Sequence, residues 1–121
     1  MKTGRKDDLG KPRWDLVPLA VIEQIAKVLT FGAAKYGANS WQRLEDAQSR
    51  YSAALLRHLT LWQDGEPIDK ESGLPHLAHA ACDLMFLLWF EIKGGKPKRE
   101  EFKQRKTYDL EKAEKIKEAG K

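Results

Sequence analysis

The sequence predicts an all-α protein, built as a small bundle of three core helices with a charged helical extension at the C-terminus. Apolar residues recur at helical spacing in three long stretches. No stretch alternates apolar and polar residues as a half-buried strand would. The most apolar stretch runs from Pro75 to Gly94 without an internal Gly or Pro. A chain of 121 residues supports one compact domain of this kind.

Charge divides the chain into parts of different composition. Residues 93–121 hold eleven Lys or Arg against six Asp or Glu, whereas residues 1–92 hold eleven against twelve. The excess of basic residues therefore lies in the tail, and the net positive charge of the whole chain does not indicate a basic core. We predict an irregular N-terminal arm over residues 1–15, a helical core over 16–93 and a charged helical tail over 94–121.

Composition also limits the class of protein. The single cysteine, Cys82, excludes a disulfide framework and indicates a reducing cytoplasm. No run of eighteen apolar residues and no apolar N-terminal segment occurs, so we expect a cytoplasmic protein without a membrane partner. In the tail, basic residues alternate with Glu, which is typical of a solvated face, and we do not expect it to bind nucleic acid.

The first two core helices follow from spacing and from their end signals. The first should begin near Pro18 and end at Phe31, before Gly32, or continue to Gly37. A loop containing Trp41 follows. The second should run from Asp46, a residue type suited to the N-cap, to Gln63, with Gly65 just past its end. Ten loop residues then allow the third helix to return antiparallel to the second.

The third, central helix carries the most informative pattern. It is apolar around almost its whole girth, which predicts burial on all sides. Its only strongly polar residues are His76, His79 and Asp83, which fall within about 60° of one another on a helical wheel. Three core helices cannot cover this helix completely, so we expect a homo-oligomer, most simply a dimer.

The polar face of this helix is a candidate metal site. His79 and Asp83 are four residues apart, and His58 is available from the second helix. Imidazole and carboxylate together suit Mn, Co or Zn better than an all-oxygen magnesium site. The candidate metal ligands are therefore His58, His76, His79 and Asp83. The alternative is a polar seam in which the histidines bond Asp83 and backbone carbonyls.

Basic and acidic groups suggest a phosphate-containing ligand nearby. Guanidinium groups bind phosphate oxygens bidentately, and an indole ring can stack on a base. The candidate substrate-binding residues are Lys35, Trp41, Arg50 and Arg57. Glu66 and Asp69 in the loop could supply a general base, with His79 as a third candidate catalytic residue. The alternatives are a solvated basic face and an ordinary charged turn.

Several blocks of sequence, in order, resemble a known family over about residues 8–90. They are Gly10-Lys11-Pro12-Arg13-Trp14-Asp15-Leu16, Lys35-Tyr36-Gly37 with Asn39 and Trp41, Arg50-Tyr51, Arg57-His58, Gly65-Glu66 with Asp69, Ser72-Gly73-Leu74, and His76-Leu77-Ala78-His79-Ala80. The family is the phage and prophage domain named for the N-terminal part of dATP/dGTP diphosphohydrolases. It is distantly similar to MazG-like all-α nucleotide pyrophosphohydrolases.

The resemblance implies a phage-type protein, active in the host cytoplasm, that binds purine deoxynucleoside triphosphates and releases pyrophosphate with a divalent metal. MazG-like enzymes hold magnesium with paired carboxylates, but this chain has Arg57 and His58 on the corresponding helix. Two hypotheses therefore remain. The first is a metal-dependent diphosphohydrolase using Mn, Co, Zn or Mg. The alternative is a non-catalytic oligomer that sequesters a nucleotide, for example a cyclic nucleotide defence signal.

Overall fold

A computed structural model describes Gly4, residues 9–94 and residues 110–120 of the chain. The described residues form helices α1 Leu19–Tyr36, α2 Ala47–Gln63, α3 His76–Gly94 and α4 Leu110–Ala119. Short 3-10 helices cover Trp14–Leu16 and Ser40–Arg43. The only β-type pairing in this part of the chain is an isolated bridge between Ile68 and Pro75. The prediction of an all-α protein is confirmed.

The chain divides into two compact units, one spanning Val17–Lys96 and the other combining Met1–Leu16 with Pro97–Lys121. In the terminal unit, Trp14 and Leu16 are 82% and 69% exposed. The predicted tail helix is present as α4, and the remainder of the tail prediction lies outside the described residues. No helix in the described ranges is both long and apolar enough to cross a membrane.

Helix α1 begins and ends where backbone chemistry dictates. The carbonyl of Pro18 accepts hydrogen bonds from the amides of Val21 and Ile22, which starts the first turn. Gly32 does not end the helix, because a glycine with helical dihedrals costs too little to break it. The helix ends at Gly37, whose φ of 93° reverses the chain while its amide bonds the carbonyl of Ala33 at 2.8 Å.

Helix α2 starts after Asp46, at the predicted N-cap position. Asp46 is left-handed, with φ 55°, and its side chain makes no capping hydrogen bond. The position was therefore predicted correctly, while the capping interaction that favours Asp there is absent. The first turn is closed instead by the amide of Arg50, which bonds the backbone carbonyl of Asp46 at 3.1 Å.

Helices α2 and α3 are antiparallel neighbours, as the loop length predicted. Tyr51 near the start of α2 stacks on Phe90 near the end of α3, with ring centroids 6.3 Å apart. His58, two turns later on α2, lies 5.1 Å from the ring of His76 at the start of α3. The start of α2 therefore contacts the end of α3, and a later part of α2 contacts the start of α3, which requires the two helices to run in opposite directions.

The core between the helices is small. Val28 of α1 packs with Ala78 and Cys82 of α3, and partly buried residues complete the cluster. Those residues are Ile25, Leu29, Leu74, Met85 and Phe86. The small side chains of Ala78 and Cys82 allow α1 to approach α3 closely. The polar face of α3 therefore contacts both α1, through Phe31 and His79, and α2, through His58 and His76.

Within a single chain α3 is covered on some sides only, as expected for a helix that three core helices cannot cover completely. Leu77, Leu84, Leu88 and Ile92 are between 42% and 57% exposed. At 100° per residue these four positions form one continuous stripe, which we call the α3 apolar stripe. α1 and α2 occupy the other sides of α3, and no third helix of the Val17–Lys96 unit covers this one.

Candidate functional site

Three neighbouring segments bring polar side chains to one place in the Val17–Lys96 unit. His58 comes from α2, and His76 and His79 come from the first turns of α3. The loop between these helices, residues 64–75, adds two carboxylates and a hydroxyl. We call this set the histidine–carboxylate cluster; its members are His58, Glu66, Asp69, Ser72, His76 and His79. It contains all three histidines of the sequence.

Gly65 determines where Glu66 lies. The amide of Gly65 bonds the carbonyl of Trp62 at 3.0 Å, and the amide of Glu66 bonds the carbonyl of Leu61 at 3.0 Å. This pair of bonds is a Schellman motif, which requires a left-handed residue at the position that Gly65 occupies with φ 99°. The motif turns the chain sharply after α2 and directs Glu66 back toward the start of α3.

The rest of the loop folds into a short hairpin over the N-terminus of α3. The amide of Asp69 bonds the carbonyl of Leu74 at 2.8 Å, and the amide of His76 bonds the carbonyl of Pro67 at 2.9 Å. Gly73, with φ 73°, makes the reversal possible. Backbone hydrogen bonds therefore fix the conformation of the loop that positions the Asp69 carboxylate.

Ser72 links Asp69 to His79. Its hydroxyl donates to Asp69 Oδ2 at 2.8 Å, and its amide donates to the same oxygen at 2.9 Å. Because that proton is used, the 2.7 Å contact between Ser72 Oγ and His79 Nε2 requires the imidazole to donate. Ser72 Oγ also accepts from the amide of Leu74 at 3.1 Å. The hydroxyl is thus fully satisfied, which argues against a free nucleophile.

A second chain of hydrogen bonds runs through His76, which is only 1% exposed. Its Nε2 lies 2.8 Å from Glu66 Oε2, and a carboxylate can only accept, so Nε2 carries the proton. The Nδ1 of a neutral His76 then bears a lone pair. It faces His58 Nδ1 at 2.9 Å, so His58 donates from Nδ1 in this state. Glu66 therefore sets the tautomers of both imidazoles.

The electrostatics of the cluster favour the neutral forms of His58 and His79 beside ionised carboxylates. Burial lowers the pKa of His58, and the nearby His79 and His76 lower it further. Burial also lowers the pKa of His79, although Asp69 opposes the shift. The hydrogen bond from His76 holds the pKa of Glu66 below its usual value, with Lys70 contributing at 3.4 Å.

Asp69 is likewise an anion. Burial tends to raise the pKa of Asp69, but the two hydrogen bonds from Ser72 and the nearby imidazoles outweigh burial, so the pKa is lowered. At neutral pH the cluster therefore combines negative oxygens with unprotonated imidazole nitrogens. That donor set attracts a divalent cation.

Three of these residues are close enough to share one ion. One nitrogen each of His58 and His76 and one oxygen of Asp69 lie within 4.8 Å of one another. His79 is held at the edge of this group, with Nε2 3.6 Å from Asp69 Oδ2 and its ring stacked 4.6 Å from that of His58. The structure brings Asp69 into the group, a residue that the sequence suggested as a base.

Asp83 lies apart from that group. It is 8% exposed, its Oδ2 has no hydrogen-bond partner among the described residues, and burial raises its pKa to about 7. Its electrostatic neighbours are Arg57, which lowers that pKa, together with Tyr51 and Cys82. A metal-ligating role for Asp83 stays a prediction.

The four predicted substrate-binding residues have different surroundings. Lys35 pairs with Glu71, which raises the pKa of the ammonium group. Arg50 and Arg57 are exposed and make no ion pair within the described ranges. The Trp41 ring stacks on Phe86 at 4.4 Å and also borders a pocket of ≈ 310 Å³. The pocket lies between the C-terminal half of α1 and the loop that follows it. Their roles in binding stay predictions.

Sequence reasoning missed two residues, Ser72 and Glu71. Ser72 follows Asp69 by three residues, a spacing at which an Asp side chain often accepts bonds from the backbone and hydroxyl ahead of it. That signal was readable in the sequence. Glu71 could not be matched with Lys35, because the two are 36 residues apart and only the packing of the loop near α1 brings them together.

Comparison with known proteins identifies the family of the chain. The model of a family described as "dATP/dGTP diphosphohydrolase, N-terminal" matches residues 1–101. A dATP/dGTP diphosphohydrolase of Salmonella phage PMBT28 is 40% identical over 87 residues, which are 72% of this chain and 29% of that protein. The chain thus spans less than a third of this relative. No solved structure matches the chain. With its family model covering most of the residues, including the whole histidine–carboxylate cluster, the chain belongs to the dATP/dGTP diphosphohydrolase N-terminal family.

Proposed function

We propose that the chain binds purine deoxynucleoside triphosphates at the histidine–carboxylate cluster and hydrolyses them to the monophosphate and pyrophosphate with a divalent cation. The observation that carries the proposal is the convergence of His58, His76 and Asp69 within 4.8 Å. The substrate class is taken from the family, and the phage relative bears the name of this activity. A solvated charged turn would not need a buried histidine, such as His76, whose tautomer is fixed by a carboxylate.

Basic and aromatic residues near the cluster are proposed to bind different parts of the nucleotide. Arg57 lies next to His58 in the sequence, and Arg50 lies two turns earlier on α2; both are exposed and free of ion pairs with described residues. Guanidinium groups of this kind neutralise a triphosphate. Lys35 would contribute only by exchanging Glu71 for a phosphate oxygen. Trp41, at the edge of the ≈ 310 Å³ pocket, is proposed to border the base.

Hydrolysis requires a water molecule, a base and a leaving group. In the proposed reaction, water attacks the α-phosphorus, the bond to the bridging oxygen of pyrophosphate breaks, and the proton of the water passes to a base. Glu66, Asp69 and His79 are the candidates for that base. His79 donates from Nε2 to Ser72, so the nitrogen that could accept this proton is its Nδ1.

The test is direct incubation with nucleotides. The purified chain is mixed with dATP, dGTP, other nucleoside triphosphates and cyclic dinucleotides, each with Mg, Mn, Co or Zn, and the products are separated. Monophosphate and pyrophosphate in equal amounts are expected from dATP or dGTP. Arg57→Gln should weaken nucleotide binding, whereas Arg43→Gln, an exposed arginine outside α2, should not. Nucleotide retained intact with every cation would overturn the hydrolytic proposal.

We also propose that the chain acts as a homo-oligomer. The α3 apolar stripe exposes four large side chains on the longest helix of the Val17–Lys96 unit. A continuous stripe of this kind on a small domain is typical of a subunit interface. A second copy presents the same stripe, so two chains related by a twofold axis can cover each other.

A further inference from the structure

We propose that His58, His76 and Asp69 form a binding site for one first-row transition-metal ion, with Glu66 as the residue that orients His76. The inference deepens the proposed function and rests on it for the role of the ion in hydrolysis. Binding of the ion is a separate property that needs no nucleotide. The set of two imidazoles and one carboxylate leaves the remaining coordination positions for water and phosphate oxygens.

The spacing of the two imidazoles matches that of adjacent metal ligands. His58 Nδ1 and His76 Nδ1 are 2.9 Å apart. Metal–nitrogen distances of about 2.0–2.1 Å place two nitrogens at right angles about 2.9 Å apart, and a tetrahedral ion places them at about 3.3 Å. The observed separation therefore matches that of adjacent ligands of a six-coordinate ion, and the two rings must turn so that each Nδ1 directs its lone pair at the ion instead of at the other ring.

The hydrogen bonds leave the correct atoms available. Glu66 keeps the proton of His76 on Nε2, so Nδ1 presents its lone pair toward His58. The single proton between the two Nδ1 atoms must leave before an ion binds, and it can transfer to Nε2 of His58. A carboxylate that fixes a buried imidazole from behind is the usual outer partner of a metal-bound histidine.

Asp69 completes the site with a negative charge. Its Oδ2 is held by the hydroxyl and the amide of Ser72, so the carboxylate is oriented before any ion arrives. With two nitrogen donors against one oxygen donor, the site favours Mn, Co or Zn over Mg or Ca, which prefer all-oxygen surroundings.

The experiment uses the full chain without a histidine tag, because the three native histidines then provide the only imidazole signals. Co(II) is titrated into the natural protein and variants while its visible absorption is recorded. We expect saturation at one ion per chain. Glu66→Gln should weaken binding by about 10–100-fold. Asp69→Asn should weaken it further, and Asp64→Asn, a matched change at an exposed carboxylate of the same loop, should leave it unchanged.

A second measurement needs no variant. In spectra of the imidazole nitrogens, Zn(II) should shift Nδ1 of two histidines to the metal-bound position, while the third histidine, His79, keeps its proton on Nε2. Unchanged imidazole signals, or equal Co(II) affinity in the natural protein and Asp69→Asn, would overturn the site. Metal binding at these residues without nucleotide turnover would overturn the proposed function and leave the site intact. Hydrolysis that persists in Asp69→Asn with unaltered metal dependence would overturn the metal site and leave the proposed hydrolytic activity intact.

Discussion

Replacing Asp83 by Asn should stabilise the protein, and increasingly so as the pH rises. Asp83 is a nearly buried carboxyl whose Oδ2 has no partner among the described residues. The charged groups that face it are Arg57 and Tyr51 from α2, and Cys82 lies beside it on α3. Arg57 compensates only part of the cost of burial, so the folded protein holds this carboxyl in its protonated form up to about pH 7.

The size of the effect follows from the pKa. Burial raises the pKa of Asp83 from 3.8 to about 7, so the folded state binds a proton that the unfolded state has already lost between these values. Stability therefore falls as the pH rises through this window, by about 4 kcal/mol in total. Between about pH 5 and about pH 8, the free energy of unfolding of Asp83→Asn relative to the natural protein should increase by about 2–3 kcal/mol.

The assay is urea denaturation followed by tryptophan fluorescence at several pH values. Protonation of His58 and His79 also changes stability in this range, but in the opposite direction, because their pKa values are lowered by folding. That contribution is common to both proteins and cancels in the difference. Asp64→Asn, the same chemical change at an exposed position, serves as the control and is measured at the same pH values.

Two results would refute this reasoning. A difference between Asp83→Asn and the natural protein that is constant with pH would mean that Asp83 titrates normally. A variant that is less stable at about pH 8 would mean that the charged carboxylate has a favourable partner, such as a group supplied by a second copy of the chain.

Three further predictions concern the backbone, the core and assembly. Gly65→Ala should lower the free energy of unfolding by about 1–2 kcal/mol, because φ is 99° and the added Cβ meets no atom within 4 Å, so only backbone strain acts. Gly32→Ala, in the middle of α1 with equal space, should instead raise the free energy of unfolding by about 0.5–1 kcal/mol in the same urea assay. Tyr51→Phe should cost about 1 kcal/mol, since it removes only a 3.0 Å hydrogen bond to a backbone carbonyl, and an unchanged denaturation midpoint would contradict this. Leu84→Glu should shift sedimentation from dimer to monomer, whereas Lys93→Glu, which changes an exposed residue on the opposite side of α3, should not. A natural protein that sediments as a monomer would refute the proposed assembly.

The helices could be predicted from the sequence because their signals are local. Pro18 and Gly65 mark ends that the structure reproduces within a residue or two, and of the two ends offered for α1, Phe31 and Gly37, the later one is correct. Helical periodicity depends only on neighbours a few positions apart. The sequence also predicted that one chain leaves part of α3 uncovered, but not which face. The α3 apolar stripe reads as a buried surface from composition, yet whether a face is covered depends on which elements pack there.

The sequence by itself determined that the chain is helical, that His76, His79 and Asp83 share one face of its most apolar helix, and that the chain resembles the family to which it belongs. Only the tertiary structure decided which of these groups meet. The loop after α2 folds back through backbone hydrogen bonds and sets Asp69 and Glu66 against the histidines, while Asp83, one turn after His79, remains apart. Contacts between residues distant along the chain arise from packing and loop closure, and spacing within one helix carries no information about either.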